Sequence, residues 1–240
     1  MPIIKSGKNC QIPWGADIRG DVIMGDNCII EDGVVLAYGT LTKLRKGYKK
    51  TATLTLGNNV HIRTGSVIYA GCKLGNYVHI AHNTILREFT EVGDHSSIGS
   101  LVMCEGYTKI GHHTTIHSQC HLTARMNIGN YAFFGPNVTT ANDRKIRYHR
   151  PNVSMEDKGP TVEDGAIIGA GASLMPYVKV GKGAFVAMGA LVTKSVEPFS
   201  LVMGIPAKHA RWVTHEEVIE QLQADYTRHL AKVCEWADSR

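Results

Sequence analysis

Twelve histidines, 21 acids and six cysteines supply most of the side chains in this 240-residue chain that can move protons, bind metals or attack a carbonyl. Imidazole is the ordinary proton acceptor at neutral pH. His61 and His79 are eighteen residues apart, and so are His95 and His113. The cysteines stand at positions 10, 28, 72, 104, 120 and 234 and form no CxxC pair, so neither a zinc ribbon nor a thioredoxin-type motif is signalled. Cations gather in two places. Residues 37–55 hold Lys43, Arg45, Lys46, Lys49 and Lys50 with no acid, and residues 141–161 hold Arg144, Lys145, Arg147, Arg150 and Lys158 against Asp143, Glu156 and Asp157. Such segments are either solvated surface loops or flexible arms suited to phosphate. The overall charge of +5 is too small to argue for nucleic acid.

What positions these groups is a repeat of six. From Leu56 to Phe134 every sixth residue is apolar, and the residue four further on is small at every step from Val60 to Val138 except Met126. The same register runs from Ile12 to Leu36 and from Val162 to Val192. A helix repeats at 3.6 and a lone strand at 2, so a sustained period of six means short strands separated by corners, wound into a parallel β-helix. The large residue and the small one four later must point inward, because a narrow prism has little room at its corners. Cys10, Cys28, Cys72 and Cys120 take the small inward position and Cys104 the large one, which reads as reduced core thiols. Composition agrees: 25 glycines, 7% aromatics and 43% hydrophobic residues exclude collagen-like and disordered chains. With no apolar run of eighteen and no signal-like start, a soluble cytoplasmic protein is expected.

The domain reading is a β-helix over residues 1–213, with loops 37–55 and 141–161 extruded, and a helical tail over 214–240. Thr214-His215-Glu216-Glu217 reads as a capping box. Ile219, Leu222, Tyr226, Leu230 and Val233 follow at steps of three and four, predicting an amphipathic helix over 215–237 that covers the prism end or a neighbouring subunit.

The chain resembles the hexapeptide-repeat acyltransferases. That resemblance implies a left-handed parallel β-helix of three hexads per coil, about eight coils here, assembled as a homotrimer with active sites between neighbouring prisms. Ile168-Gly-Ala-Gly-Ala, Val186-Ala-Met-Gly-Ala-Leu-Val-Thr-Lys194 and Gly204-Ile-Pro-Ala-Lys208 are similar to the family's coenzyme A end. They imply that Gly169, Gly171, Ala187 and Gly189 admit the pantetheine arm and that Lys194 and Lys208 meet its phosphates. Gly135-Pro-Asn-Val-Thr-Thr-Ala-Asn-Asp143 resembles the GPNVxFTND segment of sugar-nucleotide N-acyltransferases, though Arg144-Lys145-Ile146-Arg147 replaces their tyrosine-proline-arginine. Counting back from that segment places Glu105 on their glutamate beside the sugar amine. Their second acid falls at Ala124, with Asp94 as a possible substitute. His117 and His121 are alternative bases, and His82, Arg87, Asn142, Arg144 and Arg147 are acceptor-binding candidates.

The activity so implied is acyl transfer from acyl-CoA, as cosubstrate and not as a bound cofactor, to the amine of a nucleotide-linked amino sugar. A dTDP sugar of surface polysaccharide or glycan biosynthesis is the expected acceptor. O-acetylation of a small hydroxylated acceptor is the nearest alternative. A second resemblance, to γ-class carbonic anhydrases, rests on Ile18-Arg-Gly-Asp21, Glu31-Asp-Gly-Val-Val-Leu36 and the five-residue spacing of His112 and His117. It implies zinc, but the histidine due after Leu36 is Ala37, so no metal is expected. A non-catalytic trimerisation scaffold is the third reading, opposed by Glu105 and the complete coenzyme end.

Overall fold

Each hexad folds as a strand of two or three residues followed by a four-residue corner, as in Lys73–Leu74, His79–Ile80, Ile85–Leu86 and Glu91–Val92. A computed structural model describes residues 2–40, 52–154, 157–214 and 217. Among these the strands form three sheets. Sheet A has nine strands from Ile4–Ser6 to Lys179–Val180, and sheet C nine from Asp17–Ile18 to Leu191–Val192. Sheet B has ten, from Ile29–Ile30 to Ser200–Met203, closed by Lys208–Trp212, which pairs antiparallel to its neighbour. Within the regular coils each residue pairs with the one eighteen later, as His79 does with Ser97 and Glu91 with Lys109. The result is a three-sided parallel β-helix with edges A–B, B–C and C–A. No helix among the described residues is long and apolar enough to cross a membrane.

The inward positions are those of the six-residue pattern: Ile62, Ile68, Ile80, Leu86, Ile98, Leu122 and Phe134 are all fully buried. At the N-terminal rim Ile12 is 36% exposed and Ile18 only half-buried. The small inward positions hold Ser, Thr or Cys interchangeably, and the structure shows why. Ser96 Oγ donates to the Gly111 carbonyl at 2.8 Å and accepts the Thr114 amide at 3.0 Å, so one hydroxyl ties two coils. Thr114 repeats the contact to Gly129, and Cys72 and Cys120 donate their thiols to Arg87 and Gly135. A buried hydroxyl without a partner would cost about 1–3 kcal/mol. Burial pushes Cys72 up to about 12 and Cys28 and Cys120 to about 11. These thiols are core groups, not nucleophiles.

The A–B edge carries two ladders. Side chains of Asn58, Asn76 and Asp94 each accept the backbone N–H of the preceding coil, and the Asn76 amide reaches Asp94 Oδ1 at 2.8 Å. The residue that turns each corner has a left-handed φ. In the early coils it is Asn9, Asn27 and Asn59, and then Tyr77, His95, His113 and Tyr131. A left-handed ring-bearing residue costs about 1–2 kcal/mol. Here the rings stack within 8° of parallel at 4.7–5.0 Å, which offsets much of that cost.

Both extrusions leave from the C–A edge. The first falls between Val35–Tyr38 and Leu54–Leu56, the second between Thr139–Thr140 and Thr161–Val162. Lys43, Arg45, Lys46, Lys49 and Lys50 lie outside the described residues. The second loop is pinned at its base by an antiparallel bridge between Asp143 and Asp157 and by a hydrogen bond from Asn142 to Asp157. Its turn is set by the Asp143 carboxylate, which accepts the N–H groups of Lys145, Ile146 and Arg147. At the C-terminus Thr214 Oγ1 accepts the Glu217 amide while the Glu217 carboxylate accepts the Thr214 amide, which is the expected capping box. Apart from Glu217, the helix expected over 215–237 lies outside the described residues.

Candidate active site

Glu105 opens the C–A corner that follows Met103–Cys104 in sheet C. Leu122 pairs with Cys104, which stacks Thr123 directly on Glu105. Glu105 Oε2 accepts the Thr123 hydroxyl at 3.0 Å and the Ala124 amide at 3.2 Å, so one carboxylate oxygen is anchored from the next coil. The other, Oε1, faces His121 Nε2 at 3.5 Å. His121 lies outward on sheet C, in register with Met103, and reaches Glu105 diagonally. Both side chains keep access to solvent, at 34% and 43% exposed. Two of the sequence candidates are thus brought together. By the family resemblance Ala124 marks only the place of a missing acid. The eighteen-residue spacing from Glu105 to Thr123 is the signal that identifies the anchor.

The other candidates lie elsewhere. Asp94 is at the A–B edge, where its carboxylate serves the Asn76 amide and side chain. His82 and His117 are at the B–C edge, across sheet C from Glu105, and His117 packs edge-on to Phe133 at 5.3 Å. Arg87 occupies the C–A corner one coil before Glu105 and is forked onto Glu88 at 3.0 and 3.2 Å. Asn142 is engaged by Asp157, Arg144 lies over the Tyr177 ring at 6.0 Å, and Arg147 is exposed on the second loop.

Five of the six coenzyme candidates follow one edge. Gly169 and Gly171, then Ala187 and Gly189, form successive B–C corners, and the Gly204–Ala207 turn leading to Lys208 continues them through backbone bonds to Leu191. A Cβ on Gly169 would lie 2.5 Å from the Met188 nitrogen, so coil stacking itself demands glycine there. At Gly171 and Gly189, both with positive φ, a Cβ would meet nothing within 4 Å. Their surroundings are open enough for a ligand to approach the backbone. Lys194 is the second residue of the next corner, at the C–A edge after Leu191–Val192.

The γ-class anhydrase pattern lacks its first histidine, and the residue there does not face outward. Ala37 is a buried bulge residue. Among the described residues no three His, Cys, Asp or Glu side chains converge.

The family model for the bacterial transferase hexapeptide (six repeats) matches residues 54–88. Serine acetyltransferase 4 of Arabidopsis thaliana is 39% identical over 72 residues, covering 30% of this chain and 20% of that one. A protein of Schizosaccharomyces pombe named as an acetyltransferase is 34% identical over 95 residues, 39% of this chain and 46% of its own. The chain therefore spans less than half the length of these curated relatives. Among solved structures, the Arabidopsis UDP-N-acetylglucosamine acyltransferase superposes with a TM-score of 0.67 at 18% identity, covering 94% of this chain and 74% of that one, a likeness of fold.

Proposed function

Because this chain is a hexapeptide-repeat β-helix similar to acetyltransferases, we propose that it is an acyl-CoA-dependent acyltransferase whose acceptor is the amine of a nucleotide-linked sugar. The observation that carries the reading is the Glu105–His121 pair, anchored by Thr123 and Ala124 on the edge from which both basic loops leave. The two hydrogen bonds to Oε2 fix the carboxylate and leave Oε1 facing His121. Glu105 then holds the Nε2–H of His121, leaving Nδ1 to accept a proton. The acceptor amine attacks the thioester carbonyl carbon and the N–C bond forms. The amine proton passes to His121, the C–S bond breaks, and that proton goes to the departing coenzyme A sulfur. Acyl-CoA would lie along the B–C corners from Gly169 to Lys208, with the dTDP sugar as the specific acceptor we would test first.

In one prism the donor edge and Glu105 lie on opposite sides of sheet C and three coils apart, about 14 Å along the axis. A homotrimer brings the donor edge of one subunit to the Glu105 edge of the next. The faces are suited to this: sheet A is lined by Lys73, Glu91, Lys109 and Lys179, whereas sheet C presents Val67, Ile85 and Met103 outward. A histidine backed by a carboxylate also suits a hydroxyl acceptor, which needs its proton removed more than a free amine does, so O-acylation is the second reading.

Purified protein should transfer acetyl from acetyl-CoA to a dTDP amino sugar, followed as free thiol released. Glu105→Ala should lower turnover at least about tenfold while the folded β-sheet circular dichroism signal is retained. Unchanged kinetics would remove Glu105 from the site, and transfer only to hydroxyl acceptors in a mixed panel would select the second reading.

A further inference from the structure

The residue that follows the last inward side chain of each sheet C strand forms one continuous row along the C–A edge. Tyr38 pairs with Tyr69, Leu86 with Cys104, and Cys104 with Leu122, so the row reads Arg19, Tyr38, Tyr69, Arg87, Glu105, Thr123. The register is irregular at one place. Ala37 bulges inward with φ 54° and is fully buried, which moves Tyr38 into the outward position opposite Tyr69. The two phenol rings then lie 5.1 Å apart, and the Arg19 guanidinium covers the far side of Tyr38 at 5.1 Å. Arg19 is itself steered by Asp17 at 2.7 Å.

Next in the row, Arg87 is held by Glu88, a carboxylate only 10% exposed. Both contacts use Nε and Nη2, so Nη1 points away from Glu88, and the arginine side chain is 41% exposed. A buried carboxylate that grips one edge of a guanidinium orients the other edge, as phosphate recognition requires. Burial pushes the Tyr69 phenol up, keeping it a neutral donor. Beyond Tyr38 the first basic loop leaves the coil.

We propose that this row seats a nucleoside diphosphate, with the diphosphate on Arg87, the base against the Tyr38–Tyr69 pair, and the attached sugar delivered to Glu105. The axial spacing fits. At about 4.8 Å per coil, Arg87 lies one coil from Glu105, Tyr69 two and Tyr38 three, the order in which diphosphate, ribose and base follow a sugar. The inference rests on the nucleotide-sugar reading above and assigns its recognition to Arg19, Tyr38 and Tyr69. The coenzyme, which also carries a nucleotide, belongs by that reading to the B–C edge.

Titration calorimetry of the full-length protein with dTDP and with UDP, neither carrying a sugar, tests this directly. Wild type should bind at least one of them. Tyr69→Ala and Arg87→Ala should each weaken it by about tenfold, the scale of one base–aromatic contact or one phosphate pair. Tyr69→Phe should retain most of the affinity, and acetyl-CoA binding should be unchanged in all three. Wild-type affinity in Tyr69→Ala and Arg87→Ala would overturn the row while leaving the nucleotide acceptor standing. Failure of wild type to bind either diphosphate, with acetyl-CoA still bound, would overturn the row together with the nucleotide acceptor but not acyl transfer.

Discussion

Glu31 shows how much one side chain does in a structure where each coil packs on the coils directly above and below it. It accepts His61 Nε2 at 2.9 Å, Arg63 Nε at 3.1 Å, and both the amide and hydroxyl of Thr64 at 3.0 Å, joining two coils at the start of the B–C edge. Burial alone would raise its pKa. The Thr64 amide, the His61 ring, the Thr64 hydroxyl and the Arg63 charge outweigh that and hold it at about 2. A carboxylate depressed in the folded state stabilises the fold above the ordinary value of 4.5 and loses that contribution as pH falls toward about 2. Glu31→Gln should therefore lower the melting temperature at pH 7 and flatten its decline over that acid range, as thermal melts across pH would show. Equal slopes in the two proteins would mean the network contributes nothing. Residue chemistry was only partly legible beforehand. Glu105 and His121 could each be named, but not as a pair, because their contact runs diagonally between coils and depends on the exact closure of the intervening turn.

At the scale of one corner, the same residue type answers to different constraints. Gly169 is excluded from carrying a side chain by the next coil's backbone, while Gly171 has open space and only a positive φ. Alanine at Gly169 should cost several times the ~1 kcal/mol expected from left-handed strain alone at Gly171. Chemical denaturation of the two variants would measure the difference, and equal losses would contradict the steric account. Small residues in the hexads thus mark two things that sequence cannot separate: corners that must be tight, and corners left open to a ligand. The capping box at Thr214 and Glu217 was legible because its two hydrogen bonds are local. The bulge at Ala37 was not, since the six-residue pattern absorbs one extra residue before a loop without a visible change.

For the whole molecule, the division of the candidate site between two edges makes an expectation about assembly. Co-expressed Glu105→Ala and Ala187→Trp subunits, each inactive alone, should regain part of the wild-type rate as mixed oligomers, since some interfaces would join two intact halves. Light scattering should give a trimer mass for each. An absence of recovery in verified mixed trimers would mean that donor and acceptor meet on a single prism. The sequence by itself determined the parallel β-helix, its coil length and its core, because a solenoid repeats one local solution and every sixth side chain meets the same environment. It also determined the identity of the groups capable of chemistry. Only the tertiary structure decided which of them share an edge. Coil winding put Glu105, Arg87, Tyr69, Tyr38 and both loop roots on the C–A edge and sent Asp94 and His117 to the other two. Edge membership depends on the cumulative register after each insertion, so it is a property of the wound chain and not of any one hexad.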